Sequence, residues 1–270
     1  MTKRIATTVA VLGAASIISG CAIEQPSAGC FVQDSSFALW QAKYIPKTEA
    51  DAAKACGQLK GEELGVWKYS NPEASAADVA ANRAARLAIR PRGLASLTRT
   101  SYKYKEVDPA TGKEVEKSRT VDRVTQDKWD DATALSTTLP PEPDSEGYCK
   151  ATGFAPAALT VETVTNHVTG ATVAPAASVT YQFNDDVEVF SAPSAPGTQL
   201  RGSLTYTSGA CTAEYEVWAL WPSVGCVPGS TEPAESCGVG SGLNPDFDAV
   251  CDADLEACVP AKRPGSFKAQ

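Results

Sequence analysis

Nine cysteines constrain the fold of this 270-residue chain more than any other feature, because their number is odd. An odd count leaves at least one cysteine without an intramolecular partner. The chain has no Cys-x-x-Cys, and its sole histidine, His167, lies in a predicted turn. A zinc site or a thioredoxin-like redox motif is therefore not expected. The cysteines are Cys21, Cys30, Cys56, Cys149, Cys211, Cys226, Cys237, Cys251 and Cys258.

The first 20 residues have the layout of a secretory signal peptide. Lys3 and Arg4 supply the positive start, and an apolar run from Ile5 to Ile18 follows, with small residues directly after it. The run is shorter than the about 20 apolar residues that cross a bilayer as a helix. Residues 1–20 are therefore predicted to be a cleaved signal.

The signal ends in Ile18-Ser19-Gly20-Cys21, which resembles the lipobox of bacterial lipoproteins. The resemblance implies that Cys21 carries a diacylglycerol on its sulfur, becomes the new N-terminus and receives a further acyl group. Two or more acyl chains anchor a protein stably. An ordinary signal peptide, followed by a cysteine that stands there by chance, is the alternative.

Lipidation of Cys21 resolves the odd count, because eight cysteines remain and can form four disulfides in an oxidising compartment. We expect no cofactor apart from the covalent lipid on Cys21. Eight cysteines allow about 105 pairings, so connectivity cannot be derived from sequence. Proximity in the chain suggests pairing of Cys30 with Cys56 and of Cys149 with Cys211.

The last four cysteines are expected to pair among themselves. The preferred arrangement is interlocked, Cys226–Cys251 with Cys237–Cys258, because it constrains the whole stretch between them. A sequential arrangement, Cys226–Cys237 with Cys251–Cys258, is the alternative. Each closed loop of this size stabilises by roughly 3–4 kcal/mol in the chain-entropy model.

Charge excludes one class of partner. The formal net charge is −8, and removal of the signal with Lys3 and Arg4 brings the mature chain to −10. Such a chain is not expected to bind nucleic acid, or to adhere to anionic lipid through basic patches.

The mature chain divides into four predicted parts. Residues 21–29 form a tether that spans under roughly 30 Å when extended. Residues 30–222 form a β-rich body with a candidate sub-boundary in the proline-rich acidic stretch near 139–148. Residues 223–260 form a cysteine-rich module that is poor in large apolar residues, and residues 261–270 look like a frayed tail.

The predicted fold class is mainly β, with α+β as the alternative. The body is expected to be an antiparallel sheet, sandwich or barrel, because apolar and polar residues alternate in several segments rich in Val, Thr, Tyr and Trp. Those predicted strands are 64–70, 158–165, 178–183, 187–191, 199–207 and 211–221.

Two further elements are predicted before residue 120. Alanine content favours a short helix within 74–89, capped by Ser75 with Asp78 three residues later, although Leu87–Ile89 could equally begin a strand. Residues 102–107 and 114–119 flank an Asp-Pro…Gly turn and predict a charged β-hairpin that projects into water.

The acidic stretch 244–256 contains the one candidate metal site. Oxygen ligands at Asn244, Asp246 and Asp248 match the first alternating positions of a calcium loop. Ala249 stands where the turn glycine belongs and Glu256 comes one residue late, so a solvated acidic loop is the main expectation.

No side chain of the sequence is predicted to be catalytic, although two further groups have the residue types of a functional site. Asp185, Asp186 and Glu188 could pair carboxylates for glycoside hydrolysis, although Asn-Asp-Asp is also a common turn. An aromatic platform for a ligand could be formed by Trp218, Trp221 and Tyr215, although strand aromatics more often belong to the core.

The C-terminal motif resembles a group of lipoproteins from myxobacteria. It reads Cys-x(10)-Cys, then Gly-Ser-Gly-Leu-Asn-Pro-Asp-Phe, then Val-Cys-x(6)-Cys-Val, over residues 226–259. The resemblance is strongest over residues 1–30 and 211–260. It implies location and carries no known activity.

From these observations we expect a lipid-anchored protein of the cell envelope that acts as a binding or structural component without catalysis. The alternative is a carboxylate-based hydrolase that faces the periplasm or the cell surface. Ala22, in place of Asp, favours the outer membrane if the enterobacterial sorting rule applies. The expected partners are the membrane, through the anchor, and an envelope protein or glycan.

Overall fold

A computed structural model describes residues 29–71, 73–81, 83–192 and 195–268. The predicted signal peptide, Cys21 and the tether up to residue 28 lie outside these ranges. In the ranges described, no helix combines the length and apolarity that crossing a bilayer requires.

The described chain is mainly β, as predicted. Its three α-helices are each a turn or so long: α1 (Glu49–Ala52), α2 (Ala76–Ala80) and α3 (Arg92–Ser96). Its strands are β1 (Trp40–Pro46), β2 (Gly61–Ser70), β3 (Ala85–Pro91), β4 (Arg99–Val107), β5 (Glu114–Asp122), β6 (Ala134–Leu135), β7 (Tyr148–Ala151), β8 (Ala157–Val161), β9 (Val164–Thr165), β10 (Thr172–Ala174), β11 (Ala177–Phe183), β12 (Val187–Phe190), β13 (Gln199–Ser208), β14 (Cys211–Leu220), β15 (Ala249–Asp252) and β16 (Ala257–Pro260).

One antiparallel sheet forms the body, in the order β6-β3-β2-β1-β14-β13-β11-β8, with β12 and β7 continuing from β13. The two ends of this order approach each other through bridges from Leu135 to Ala155 and from Thr138 to Thr152. The sheet is thus a nearly closed barrel, which leaves few unpaired edges. Strands from both sides of 139–148 belong to it, so the candidate sub-boundary does not divide the sheet.

Alternation along the strands fills the barrel. In β14, Ala213, Tyr215 and Val217 are buried while Glu214 and Glu216 are exposed, as the sequence predicted. The largest side chains of the interior are fully buried, among them Trp40, Leu64, Leu87, Phe183 and Leu204.

The helix predicted within 74–89 is only partly confirmed. Ser75 caps α2 and Asp78 completes the capping box, but the helix ends at Ala80. From Ala85 the chain runs as β3, with Leu87, Ala88 and Ile89 buried. Pairing with β2 and burial of three consecutive residues therefore outweigh the helix propensity of alanine at this point.

The charged hairpin is confirmed as β4 and β5, which pair over nine residues from Arg99–Asp122 to Val107–Glu114. Ion pairs such as Lys103–Glu116 and Lys105–Glu114 cross it on an exposed face. Near the base of the hairpin, the Tyr102 hydroxyl oxygen lies 2.9 Å from Nδ1 of His167. His167 lies in the turn between β9 and β10.

The disulfide pairing predicted for the body is wrong. The bonds are Cys30–Cys149 and Cys56–Cys211, with sequence separations of 119 and 155. The physical reason is the topology of the sheet, which brings distant segments together. Residue 56 lies in a short 3-10 turn against β14, and Cys30 lies beside Cys149 of β7.

The interlocked pairing of the last four cysteines is confirmed, as Cys226–Cys251 and Cys237–Cys258. No bond links these four to the body. The module nevertheless packs against the body, because Leu243 and Phe247 share an apolar cluster with Tyr148, Phe190 and Leu220.

The expectation of a frayed tail is wrong for residues 261–268. The ring of Phe267 packs between Phe190 and Phe247 at centroid distances of 5.7 and 6.0 Å. Tyr148 donates its hydroxyl to the Pro264 carbonyl, and Gly265 donates its N–H to Gln199. An aromatic residue near the end of the chain therefore completes the cluster between the body and the module.

Candidate functional site

A cleft of about 640 Å³ lies where one end of the barrel meets the module. β2 supplies Glu62 and Glu63, and the short helix α3 supplies Arg92 and Gly93. The module supplies the opposite wall, through residues 255–257. The cleft thus requires both parts of the chain.

Glu62 lies at the barrel end of the cleft and collects hydrogen-bond donors. Tyr44 donates its hydroxyl to Oε1 at 3.0 Å, Gly93 donates its backbone N–H to Oε2, and the Tyr181 hydroxyl also donates to this carboxyl. Burial raises the pKa of Glu62, and the bonds from Gly93, Tyr181 and Tyr44 lower it in part. Burial, followed by the charge of Glu62, raises the pKa of both Tyr44 and Tyr181.

Glu63 points to the other face of β2, because neighbouring residues of a strand alternate. It forms an ion pair with Arg92, and Ser223 Oγ lies 3.1 Å from Glu63 Oε1 and 3.2 Å from Gln41 Oε1. Ser223 has a single hydroxyl proton, so it donates to one of these two acceptors at a time.

The charge of the cleft favours a donor-rich ligand. Glu62, Glu63 and Glu256 line it against one cation, Arg92, while Leu59 and Leu255 supply apolar walls. A few convergent polar groups between apolar side chains are typical of sites that bind small ligands or side chains.

The carboxylates considered for hydrolysis are occupied by structural contacts. Asp185 accepts the N–H of Gly153 at 2.6 Å, and Asp186 accepts both the N–H and the hydroxyl of Ser203. Glu188 pairs with Arg201 at 2.7 Å. Each carboxylate fixes a turn or a strand pair.

The candidate calcium loop is also held by its own chain. The Asn244 side chain accepts the N–H of Asp246, and Asp248 pairs with Lys262 at 2.7 Å. An ammonium group thus lies against one of the three predicted ligands. Three cysteine sulfurs of the module lie close together, but all belong to disulfides and cannot bind metal as thiolates.

The three aromatics of the candidate platform do not share a surface. Tyr215 is fully buried, and it donates its hydroxyl to the Cys56 carbonyl at 2.6 Å. Trp221 is half-buried and donates to the Ala38 carbonyl, while Trp218 lies on the outer face of β14 and donates to Glu216. Tyr215 is therefore a core residue, as the alternative interpretation held.

Sequence reasoning missed the cleft, although one signal was present. Glu62 shares the inward face of β2 with Leu64 and Val66, which are fully buried. A charged residue in phase with a buried strand face indicates a buried polar contact. Its partners Tyr44 and Tyr181 come from distant strands, and no local pattern connects them to Glu62.

Comparison with known proteins gives one coherent result. A family model described as MlpA matches residues 38–222. The chain is 40% identical over 279 residues to a protein of Myxococcus xanthus named "Putative lipoprotein MlpA", and the alignment covers 99% of this chain and all of that protein. No solved structure gives a significant match.

Proposed function

The chain belongs to the MlpA family, and from that membership we propose that it is a lipid-anchored protein of the cell envelope with a binding role. Cys21 is the anchor. The cleft between barrel and module is the binding site. We further propose the outer membrane as its location, supported by Ala22 after the lipidated cysteine.

One observation supports the assignment of Cys21 as the anchor. All eight cysteines in the described ranges pair with one another, so none is left to bond with Cys21. The remaining cysteine is the one at the end of Ile18-Ser19-Gly20-Cys21. The relative from Myxococcus xanthus carries the name of a lipoprotein, which supports the same role here.

Cys21→Ala tests the anchor. Metabolic labelling with a palmitate analogue should mark the wild type and leave this variant unlabelled, and the wild type should sediment with membranes. Ser27→Ala, within the tether but outside the lipobox, is the matched control and should be labelled. An unlabelled wild type in the soluble fraction would refute the anchor.

The cleft supports binding rather than carboxylate chemistry. Asp185, Asp186 and Glu188 are held by structural partners away from the cleft. Glu63, Ser223 and Arg92 contact one another and also line its open volume. The excess of acids fits the hydroxyls of an envelope glycan, or a basic side chain of an envelope protein.

Filling the cleft tests its role. Ser96 is exposed on the cleft wall, so Ser96→Trp should place an indole in the open volume without disturbing the core. Native mass spectrometry of protein purified from envelopes should show a bound mass on the wild type and less of it on this variant. Ser101→Trp, on the exposed hairpin, should retain the ligand. A wild type without any bound mass would contradict the binding role.

A further inference from the structure

Two exposed phenylalanines lie close in the chain to the first described residue, Gly29. Of the seven phenylalanines, five are buried or half-buried, and the two exposed ones are Phe31 and Phe37. Both lie within nine positions of Gly29, where the tether joins the body. A third exposed apolar side chain, Val79, lines the same groove as Gly29.

Phe37 is held out by fixed backbone rather than by a loose loop. It is 92% exposed at the end of the turn 35–37. The turn is fixed on one side by two hydrogen bonds between Ser35 and Val66, and within itself by the Asp34 carboxylate, which accepts the Ser36 N–H at 2.6 Å. On the other side, Trp221 donates its indole N–H to the Ala38 carbonyl at 3.0 Å. The backbone on both sides of Phe37 is therefore fixed where the ring is directed to solvent.

Phe31 is presented in the same way. It is 43% exposed between Cys30 and Val32, which are both buried. Its N–H donates to Ser191 Oγ at 2.8 Å, and Cys30 is bonded to Cys149. Gly197 has a positive φ of 64°, and a Cβ there would lie 2.4 Å from the Phe31 carbonyl oxygen, so the loop can approach this segment only with glycine.

The length of the tether determines which surface the two phenylalanine rings can contact. Eight residues separate Cys21 from the body at Cys30, and they span under roughly 30 Å when extended. If Cys21 carries lipid, which is the proposed function on which this inference rests, the surface around Gly29 stays close to the bilayer. The anchor then raises the effective concentration of that surface at the membrane, so a weak contact becomes populated.

We infer that Phe37, assisted by Phe31 six residues earlier in the chain, inserts into the lipid interface and fixes the face that the protein turns to the membrane. Aromatic rings are well suited to the interfacial region of a bilayer. The net negative charge of the chain argues against attachment through anionic headgroups, so the contact is apolar.

Quenching by lipid tests this contact directly. The lipidated full chain carrying Phe37→Trp is reconstituted into phosphatidylcholine vesicles with brominated acyl chains. The wild type, with its five native tryptophans, gives the background. Val107→Trp is the matched control, because Val107 is 57% exposed at the end of β4, on the projecting hairpin.

We expect the emission added by Phe37→Trp to be quenched at least twofold more than the emission added by Val107→Trp, and to lie at shorter wavelength. Equal quenching in the two variants would overturn the inference, and the surface would then belong to another partner or to water. Flotation of labelled wild type with the same vesicles reports the anchor separately. Flotation without quenching therefore refutes the insertion alone, whereas absence of labelling and flotation refutes the proposed function.

Discussion

At the scale of single residues, the polar contacts of the barrel follow from the cost of burying an unpaired group. Tyr215 shows this well, because its hydroxyl donates to the Cys56 carbonyl and accepts the Leu59 N–H at 3.2 Å. The ring is fully buried, and its hydroxyl is the partner of both backbone groups.

Tyr215→Phe should therefore destabilise the fold. Removal of the hydroxyl leaves two backbone groups without this partner, and we expect a loss of about 1–3 kcal/mol in the free energy of unfolding. Chemical denaturation at neutral pH measures it. Tyr69→Phe, at an exposed position, should leave the midpoint unchanged. An equal midpoint for wild type and Tyr215→Phe would show that the two hydrogen bonds of this hydroxyl do not contribute to stability.

Asp51 gives the fold a pH dependence. Hydrogen bonds from Lys54 and Thr48 lower the pKa of Asp51 to about 2, below the about 3.9 of an unfolded aspartate. A depressed carboxyl pKa stabilises the folded state above the unfolded pKa, and that contribution is lost as the pH falls through about 4 towards 2.

Asp51→Asn should lower the melting temperature at pH 7, and the difference from wild type should shrink between about pH 4 and pH 2. Thermal unfolding followed by circular dichroism across this range measures both effects. Glu49→Gln, in the same first turn of α1, is the matched control. A difference that stays constant down to pH 2 would contradict the assigned cause.

At the scale of elements, the sequence predicted what depends on neighbouring residues. The capping box of Ser75 and Asp78, the Asp-Pro…Gly hairpin and the alternation of β14 all follow from local rules, and all are present. The length of the helix after Ser75 was not predictable in this way. It depends on whether Leu87–Ile89 finds β2 as a partner.

Contacts between distant segments could not be predicted from the sequence. β1 pairs with β14 across about 170 residues, and this pairing also brings Cys56 towards Cys211. Proximity in the chain is a poor guide where a barrel closes non-locally, so the body disulfides were mispredicted. The module is different, because its two disulfides close short loops, with sequence separations of 25 and 21.

The module should open independently of the barrel. Cys237→Ala combined with Cys258→Ala removes a loop closure over 21 residues, a loss of roughly 3 kcal/mol in the chain-entropy model. Hydrogen exchange should become faster across residues 226–268 and stay slow in β13 and β14. Cys56→Ala with Cys211→Ala should have the opposite distribution, with faster exchange in the barrel. Uniform acceleration in both variants would mean that barrel and module open as one unit.

At the scale of the whole molecule, the four disulfides define one oxidised state. After denaturing alkylation without reduction, intact mass should reveal no free thiol in the mature protein, and reduction should expose eight. Wild type and Cys21→Ala should give the same count, because the proposed lipid would occupy the ninth sulfur. Two or more alkylated cysteines in unreduced wild type would contradict the arrangement.

The bond between Cys30 and Cys149 also determines how the molecule bears mechanical load. Tension that arrives along the tether reaches Cys30 first and passes through a covalent bond into β7, within the sheet. The segment between the two cysteines, which are 119 positions apart, is thereby shielded, and roughly 400 Å of contour length is not stretched. A pull on the proposed lipid anchor would thus move the barrel as a rigid body, and the N-terminal strands would not peel away from it.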